Sequence, residues 1–232
     1  MIQFKGRHIN HIITQICTSL MKDGKLSDPR GLKTLELMNV WCILTDPKKS
    51  VCTLPQRKLS RKYLNAELDW YRSGDLSIEN IKNFSSMWSK ICDEYGYVNS
   101  NYGYWAKHYK CNDTMTQFAW CAQQLFKDPN SRRAIINYNN PEHKYDNVKD
   151  FPCTISQQFY IRNGCLDSVV LMRSNDLIYG FCYDVPWFTL LQKELAQLLN
   201  VKQGIYNHYS MSMHVYERHF DMMVEIMEAN EK

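Results

Sequence analysis

The sequence predicts an α+β fold in which packed helices cover a large mixed or antiparallel sheet. Three helical stripes with apolar residues at i, i+3, i+4 and i+7 spacing occur along the chain. Between the last two stripes the period changes to that of β-strands, and a two-residue turn signal separates two strand-like runs. The chain has 232 residues, and no repeat or linker divides it, so we expect one domain over residues 1–232.

The helices are predicted by their apolar stripes. The members of the three stripes are, in chain order, Leu64, Glu67, Leu68 and Tyr71; Phe118, Cys121, Ala122 and Leu125; and Trp187, Leu190, Leu191, Leu195, Leu198 and Leu199. The first helix is expected over residues 65–72 and ends near residues 73–75, and Asp128-Pro129 ends the second helix. The third stripe gives the strongest helical signal in the chain.

The strand-like runs, residues 155–161 and 167–172, are rich in β-branched and aromatic side chains. Asn163-Gly164 between them is a strong type I′ turn signal, which predicts an antiparallel hairpin. Cys153 then lies near the start of one strand and Arg173 lies just after the end of the other. A hairpin brings these two positions close together, so we expect them to share a site.

Composition and charge exclude several classes of protein. The net charge of +4 is mild and the basic residues are scattered, which argues against a dedicated nucleic-acid-binding protein. The nine cysteines include no C-x-x-C pair, so neither a disulfide framework nor a metal site is expected. No signal peptide or membrane-spanning run is found, and we therefore expect a cytoplasmic protein without a membrane partner.

Two side chains are candidates for catalysis. Cys153 would be a small buried hydrophobe in most proteins of this composition, but an arginine beside it would favour the reactive thiolate. Glu67 lies on the apolar face of its helix, where a carboxylate at the edge of the stripe is the simpler interpretation. If that face is buried, desolvation raises the carboxyl pKa toward values useful for general acid/base catalysis.

Other polar groups suggest a phosphorylated ligand. Arg132-Arg133, which follow Ser131, and Arg173-Ser174 each combine a guanidinium with a hydroxyl, although paired arginines are often only surface charges. His214 and Tyr216 alternate as strand residues on a common face, and core packing is their default interpretation. Asp184 precedes a long apolar helix, and from local sequence alone it is interpreted as a helix N-cap.

Taken in order, the motifs resemble those of the thymidylate synthase superfamily from about residue 30 to residue 219. The motifs are Glu67-Leu68-x-Trp70, Arg72-Ser73-Gly74-Asp75, Trp88, Tyr102-Gly103, residues 128–133, Pro152-Cys153, Gln158-Phe159-Tyr160, Arg173-Ser174-x-Asp176, Gly180 and His214-x-Tyr216. The resemblance implies a thymidylate synthase-like fold for the whole chain as one catalytic domain. It also implies a homodimer that associates sheet to sheet and shares its active sites.

One position indicates which pyrimidine base the protein recognises. Thymidylate synthases have an asparagine eight residues after the aspartate of the R-S-x-D motif, and this chain has Asp184 there. A carboxyl that accepts from N4 and donates to N3 suits cytosine better than uracil. Thr154 and Ile91 also replace a histidine and a tryptophan of the synthases. These departures are similar to the deoxycytidylate hydroxymethylase branch of the superfamily in T-even bacteriophages.

The resemblance implies a 5-hydroxymethylase that transfers a one-carbon unit from 5,10-methylenetetrahydrofolate to C5 of dCMP, without a metal. The implied roles are catalysis by Cys153, Glu67, Asp184 and Tyr102; substrate binding by Arg173, Ser174, Arg132, Arg133, Arg30, Lys33, Gln158, His214 and Tyr216; and folate binding by Trp88, Asp176 and Gly180. Arg30 is displaced by about one place from the family's early phosphate arginine, so Lys33 is included beside it.

Alternatives from several classes stay open. They are a dCMP methyltransferase, a dUMP enzyme in which Asp184 is only a helix cap, a CMP hydroxymethylase and a catalytically silent relative used for binding. The chain ends 13 residues after His219, and a shorter lid over the folate is expected to admit water. Other nucleotide-synthesis enzymes are the expected protein partners.

Overall fold

A computed structural model describes residues 1–229 of the chain. The α-helices are α1 (Ile9–Asp23), α2 (Arg61–Ser73), α3 (Met87–Ile91), α4 (Gln117–Lys127), α5 (Cys182–Leu198) and α6 (Phe220–Glu228). The strands are β1 (Ile2–Gly6), β2 (Lys25–Ser27), β3 (Thr34–Leu44), β4 (Lys110–Asn112), β5 (Met115–Thr116), β6 (Ile135–Asn137), β7 (Thr154–Arg162), β8 (Cys165–Met172), β9 (Asn175–Asp176) and β10 (Lys202–Tyr216).

The chain forms two compact units, one from residues 1–59 together with residue 162 onward, and one from residues 60–161. The expected single domain over residues 1–232 stays a prediction, and its last residues, 230–232, lie outside the described part of the chain. Within residues 1–229 no helix is both long enough and apolar enough to cross a membrane.

The first unit contains a mixed sheet, as the sequence predicts. Its strand order is β1-β3-β10-β8, in which β1 is parallel to β3, β3 is antiparallel to β10, and β10 is parallel to β8. The short β2 pairs with β3, and β9 pairs with β10 in parallel. The long β10 therefore has three neighbours and is the central strand of this unit.

Helices α1 and α5 bury apolar faces in the first unit. The isoleucines of α1 at positions 9, 12, 13 and 16 are all buried, and the His8 side chain accepts from the N–H of Asn10 at the start of that helix. In α5, Trp187, Leu191 and Leu195 are buried as the third stripe predicts, whereas Leu198 at its end is 64% exposed and Leu199 lies just past the helix. Gln192 on the same face donates to the Leu166 carbonyl of β8 at 2.8 Å, which ties α5 to the sheet.

The second unit carries the other two predicted helices. The Ser60 hydroxyl caps α2 by accepting from the N–H of Tyr63, and Gly74 ends the helix with a left-handed φ of 65°. Helix α4 ends at Asp128, where the sequence predicts its end. Strands β6 and β7 pair antiparallel, with Ile135 opposite Gln158.

Both predicted strands around Asn163-Gly164 are present as β7 and β8. Asn163 has a φ of 51° and Gly164 a φ of 72°, which are the positive values that both central residues of a type I′ turn require. The turn chemistry is therefore confirmed. The proximity of Cys153 and Arg173 stays a prediction.

The helix that follows Asp184 starts earlier than the sequence suggests. Helix α5 begins at Cys182 after a π-helical turn over Leu177–Phe181, so Asp184 lies inside its first turn. The interpretation of Asp184 as the N-cap is wrong, because its carboxyl bonds to a side chain on another element instead. A negative charge in the first turn is still compatible with the helix dipole.

Two glycines provide a test of local packing. A Cβ at Gly103 would overlap the Tyr71 carbonyl oxygen, whereas a Cβ at Gly164 would meet nothing within 4 Å and only its positive φ would be strained. Gly103→Ala should therefore lower the free energy of unfolding by about 3 kcal/mol or more. The matched control Gly164→Ala should cost about 1 kcal/mol. Equal losses in urea titrations would contradict this packing.

Candidate active site

The predicted site residues are distributed over both units. The first unit contains Arg30, Lys33, Arg173, Ser174, Asp176, Gly180, Asp184, His214 and Tyr216, and the second contains Glu67, Trp88, Tyr102, Arg132, Arg133, Cys153 and Gln158.

Cys153 lies at the end of a loop that is anchored on both sides. The carbonyl of Pro152 accepts from Asn139 Nδ2 at 3.0 Å. Upstream, the Asp150 carboxylate accepts from the N–H and the hydroxyl of Ser100, at 2.7 and 2.6 Å. These bonds hold the loop against the segment that contains Tyr102, and Cys153 enters β7 from a fixed position.

The environment of Cys153 differs from that of the structural cysteines. Cys153 is half-buried, whereas Cys17, Cys42 and Cys121 are fully buried. Desolvation raises the pKa of the Cys17 thiol to about 12 and the pKa values of Cys42 and Cys121 further, which leaves these thiols protonated and unreactive. The interpretation of Cys153 as a buried hydrophobe is therefore not supported.

Tyr102 is fixed by aromatic neighbours. Its ring lies 5.6 Å from that of Tyr71 in α2 and 5.4 Å from that of Tyr138, measured between centroids. Tyr138 in turn donates its backbone N–H to the Ile155 carbonyl of β7 at 2.9 Å. This stack connects α2 to the strand that follows Cys153.

Glu67 is buried, with 5% of its surface exposed, so the interpretation as a solvated edge carboxylate is wrong. The Tyr63 hydroxyl donates to Glu67 Oε1 at 2.7 Å, and Trp88 Nε1 donates to the Tyr63 oxygen at 3.1 Å. The Trp88 ring also packs 4.7 Å from that of Trp70. The Tyr63 oxygen thus accepts from Trp88, and its own hydroxyl proton is donated to Glu67.

The two adjacent arginines, Arg132 and Arg133, are exposed in the segment just before β6. The loop before them is closed by the Asp128 carbonyl, which accepts from the N–H of Ser131 at 2.9 Å. Gln158 Nε2 donates to the Arg132 carbonyl at 2.7 Å. Gln158 therefore anchors the arginine segment to β7, a role that the sequence did not indicate.

Asp184 is an acidic group with a strongly raised pKa. Its Oδ2 accepts from Asn175 Nδ2 at 2.8 Å. The residue as a whole is half-buried, but its carboxyl is desolvated, and this raises the carboxyl pKa from the ordinary 3.8 to about 7. The hydrogen bond from Asn175 lowers the pKa, and the nearby charge of Asp176 raises it. The carboxyl is therefore poised to be either donor or acceptor near neutral pH.

His214 and Tyr216 share a face of β10, as predicted, and their rings meet edge to face at 5.1 Å. His214 is opposite Asp176 in the pairing of β10 with β9. Burial lowers the pKa of His214, with Asp176 opposing the shift and Arg173 adding to it. The charges of Arg173 and Asp176 thus both act on this histidine.

The predicted early phosphate residues are both exposed. Arg30 has a left-handed backbone, with φ 60° and ψ 30°, in the turn over Pro29–Gly31. Lys33 Nζ lies 3.7 Å from Glu217 Oε1, an exposed ion pair that contributes little to stability.

The predicted folate residues Asp176 and Gly180 lie at the π-helical turn. The Asp176 carboxylate caps this turn by accepting from the N–H groups of Ile178 and Tyr179, at 2.8 and 3.3 Å. A Cβ at Gly180 would lie 2.9 Å from Asn175 Nδ2, so only glycine fits beside that amide without displacement.

Arg57 borders the same turn and was missed from the sequence. It is buried, its Nε donates to the Ile178 carbonyl at 2.7 Å, and its guanidinium lies 4.8 Å from the centre of the Tyr179 ring. Its Nη2 is buried without a hydrogen-bond partner within residues 1–229. A buried donor of this kind suits a carboxylate ligand.

Three further residues around the predicted site were also missed. Tyr63 bonds to Glu67, Asn175 bonds to Asp184, and His208 bonds to Asn175. Asn175 occupies the variable place of the R-S-x-D motif, where no residue type is expected. The sequence did offer one signal for His208, because this histidine falls on the buried face of a strand.

No group of three or more His, Cys, Asp or Glu side chains that could hold a metal ion is found within residues 1–229.

Comparisons with known proteins agree with this fold. A family model described as thymidylate synthase matches residues 11–232. The chain belongs to the thymidylate synthase family. The family and the relatives described below support a folate-dependent one-carbon transferase.

Individual relatives extend the comparison. The deoxycytidylate 5-hydroxymethyltransferase of Enterobacteria phage T4 is 31% identical over 226 residues, which cover 91% of this chain and 87% of that protein. The deoxyuridylate hydroxymethyltransferase of Bacillus phage SP01 is 26% identical, over 93% of this chain and 59% of that protein. The structure of the thermostable thymidylate synthase A from Bacillus subtilis has a TM-score of 0.76 and 25% identity, over 93% of this chain and 82% of that chain. The thymidylate synthase-like fold is thereby confirmed.

The raised pKa of Asp184 predicts how stability changes with pH. Because the folded state holds the Asp184 proton more tightly than the unfolded state, this group costs stability as pH rises from about 4 toward 7. Asp184→Asn removes that cost. The melting temperature of the variant relative to the unsubstituted protein should therefore be higher at pH 8 than at pH 5. A difference that stays constant over this range would contradict the raised pKa.

Proposed function

We propose that this protein is a dCMP 5-hydroxymethylase, which converts dCMP, 5,10-methylenetetrahydrofolate and water into 5-hydroxymethyl-dCMP and tetrahydrofolate. The observation that carries the proposal is the Asp184 carboxyl, with its pKa raised to about 7, at the place where thymidylate synthases have an asparagine. The 31% identity to a phage deoxycytidylate 5-hydroxymethyltransferase supports the same substrate.

The base is read by Asp184. Cytosine presents an amino donor at N4 and an acceptor at N3, so a carboxylic acid can accept from the first and donate to the second. An ionised aspartate would present two acceptors and would repel N3. A carboxyl that is half protonated near pH 7 meets this requirement, and it can also stabilise a base that gains a proton at N3 during the reaction.

The other residues follow the family roles. Cys153 would add to C6 of the pyrimidine, which makes C5 a nucleophile. Buried Glu67 would order water and move protons, and Tyr102 would act near the C5 proton. Exposed Arg132 and Arg133, with Arg173, Ser174, Arg30 and Lys33, would hold the 5′-phosphate, and His214 and Tyr216 would hold the sugar hydroxyl.

The folate would supply the one-carbon unit. Asp176, Gly180 and Trp88 are its proposed contacts, and the buried, unpaired Nη2 of Arg57 is a suitable donor for a folate carboxylate. Water would add to the transferred carbon after the C5 proton is lost, which gives the hydroxymethyl group. The proposed assembly is a cytoplasmic homodimer in which arginines of each subunit complete the phosphate site of the other.

A specific observation favours one rival, which is hydroxymethylation of dUMP. The Bacillus phage SP01 relative is a deoxyuridylate hydroxymethyltransferase, and it is 26% identical to this chain. A uracil enzyme needs a donor to O4 and an acceptor for N3–H, and the Asp184 carboxyl would meet this need only with its proton on the oxygen that faces O4.

The direct test is release of tritium from dCMP labelled at C5, in the presence of methylenetetrahydrofolate. We expect release from dCMP, little from dUMP or CMP, and chromatography should identify 5-hydroxymethyl-dCMP as the product. Release from dUMP alone would overturn the proposal, and so would release from none of the three nucleotides. Formation of dihydrofolate would identify a methyltransferase instead.

The activity toward dCMP should also fall as the pH rises above neutrality. One proton must be shared between Asp184 and N3 of dCMP, and the free enzyme loses it above a pKa of about 7. We therefore expect kcat/KM for dCMP to decrease about tenfold per pH unit above that value. A profile that is flat from pH 6 to pH 9 would show that the Asp184 proton plays no part.

Tyr63 offers a test of the Glu67 site. Tyr63→Phe removes the hydroxyl that donates to Glu67 Oε1 and keeps the ring. A hydrogen bond to a charged group contributes about 1.5–3 kcal/mol, so kcat should fall about ten- to hundredfold with a smaller change in KM. Tyr104→Phe, on a ring that packs against Trp105, is the matched control and should keep its kcat. Equal kcat values for both variants would contradict the role of Tyr63.

A further inference from the structure

A protonated carboxyl is by itself ambiguous toward pyrimidines. With the proton on one oxygen it donates to N3 and accepts from N4, which matches cytosine. With the proton on the other oxygen it accepts from N3–H and donates to O4, which matches uracil. Asp184 therefore selects cytosine only if something fixes which of its two oxygens carries the proton.

Asn175 distinguishes the two oxygens of Asp184. Its Nδ2 donates to Oδ2 at 2.8 Å, whereas Oδ1 has no hydrogen-bond partner within residues 1–229. An N–H directed at Oδ2 makes that oxygen an acceptor, and its second lone pair is left for the amino group at N4. The proton is then held on Oδ1, where it can be donated to N3.

The orientation of the Asn175 amide is coupled to the tautomer of His208. His208 Nε2 lies 2.9 Å from Asn175 Oδ1, and the Tyr206 hydroxyl lies 2.9 Å from His208 Nδ1. Because an amide oxygen only accepts, Nε2 must carry the hydrogen, and Nδ1 must accept from Tyr206. A flipped Asn175 amide would require the opposite arrangement, with the His208 hydrogen on Nδ1 and the Asp184 proton on Oδ2.

The surroundings keep this chain of bonds in one state. Asn175, His208 and Tyr206 are 2%, 0% and 1% exposed, so water does not compete for their polar atoms. Burial lowers the pKa of His208 to about 3, which keeps the ring neutral. The Phe181 ring packs edge to face on the histidine at 5.0 Å. With Asn175 in the orientation that the structure shows, the bonds run in a single direction, from Tyr206 to Asp184.

We propose that Asn175 and His208 are positioning residues that make Asp184 select cytosine, by holding the exchangeable proton on Oδ1. This inference rests on the proposed function, because it names the cause of selectivity for dCMP. It adds a requirement that the aspartate alone does not meet. Removal of either residue should let the proton move to Oδ2, so that dUMP binds better while dCMP binding changes less.

The test is calorimetric binding of dCMP and dUMP, without folate, at pH 6.5. The variants are Asn175→Ala, His208→Leu and His208→Gln, since glutamine can still donate to Asn175 and accept from Tyr206. Asn207→Ala is the matched control, because it loses bonds with Trp41 and Ser168 on the opposite face of β10. The ratio of dUMP to dCMP dissociation constants should fall about tenfold or more in the first two variants. The glutamine variant and the control should have the same ratio as the unsubstituted protein.

The outcomes separate the inference from the proposed function. If Asn175 and His208 had only a structural role, their removal would weaken the binding of dCMP and dUMP equally. An unchanged ratio of the two dissociation constants in Asn175→Ala would therefore overturn the inference and leave the proposed function intact. A protein that binds dUMP at least as well as dCMP before any substitution would overturn both.

A second measurement does not depend on the variants folding. In nitrogen NMR spectra of the unsubstituted protein, His208 should be neutral with its hydrogen on Nε2 from pH 5 to pH 8. A hydrogen on Nδ1 would overturn the inference, because Asn175 would then have to be flipped.

Discussion

The hydrogen bond between Asn175 Nδ2 and Asp184 Oδ2 is the interaction on which the proposed chemistry depends. It joins the motif that follows β8 to the first turn of α5, and it gives a desolvated carboxyl its only hydrogen bond within residues 1–229. The neighbouring charge of Asp176 and the desolvation both favour the protonated acid. Gly180 leaves room for the bond, since a Cβ there would lie 3.3 Å from Asp184 Oδ2.

Strand β10 organises the first unit around this bond. Its successive inward positions carry Tyr206 and His208, which direct the Asn175 amide, and its last residues carry His214 and Tyr216. The strand is held by β3 on one side and by β8 and β9 on the other. The proposed base-reading group and the proposed sugar-binding pair thus share one rigid scaffold, which is the arrangement expected where precise geometry matters.

Much of this architecture could be predicted from local sequence. The three apolar stripes, the strands β7 and β8 and the positive φ values at Asn163-Gly164 follow from periodicity and turn chemistry. The motifs identified the family. The burial of Glu67 could not be predicted, because it depends on Tyr63 and on Trp88, which is distant in sequence. The bond between His208 and Asn175 joins residues 33 positions apart, and no local pattern reports such a contact. The N-cap interpretation of Asp184 failed because a π-helical turn leads into α5 two residues earlier.

The central claim is that the Asp184 carboxyl is protonated in the folded protein near neutral pH. Infrared difference spectra between the unsubstituted protein and Asp184→Asn, recorded from pH 5 to pH 9, test it most directly. The account predicts a carbonyl band of a protonated carboxylic acid that disappears with a midpoint near pH 7. If only ionised carboxylate bands differ over this whole range, Asp184 is an ordinary aspartate, and the argument for cytosine recognition is contradicted.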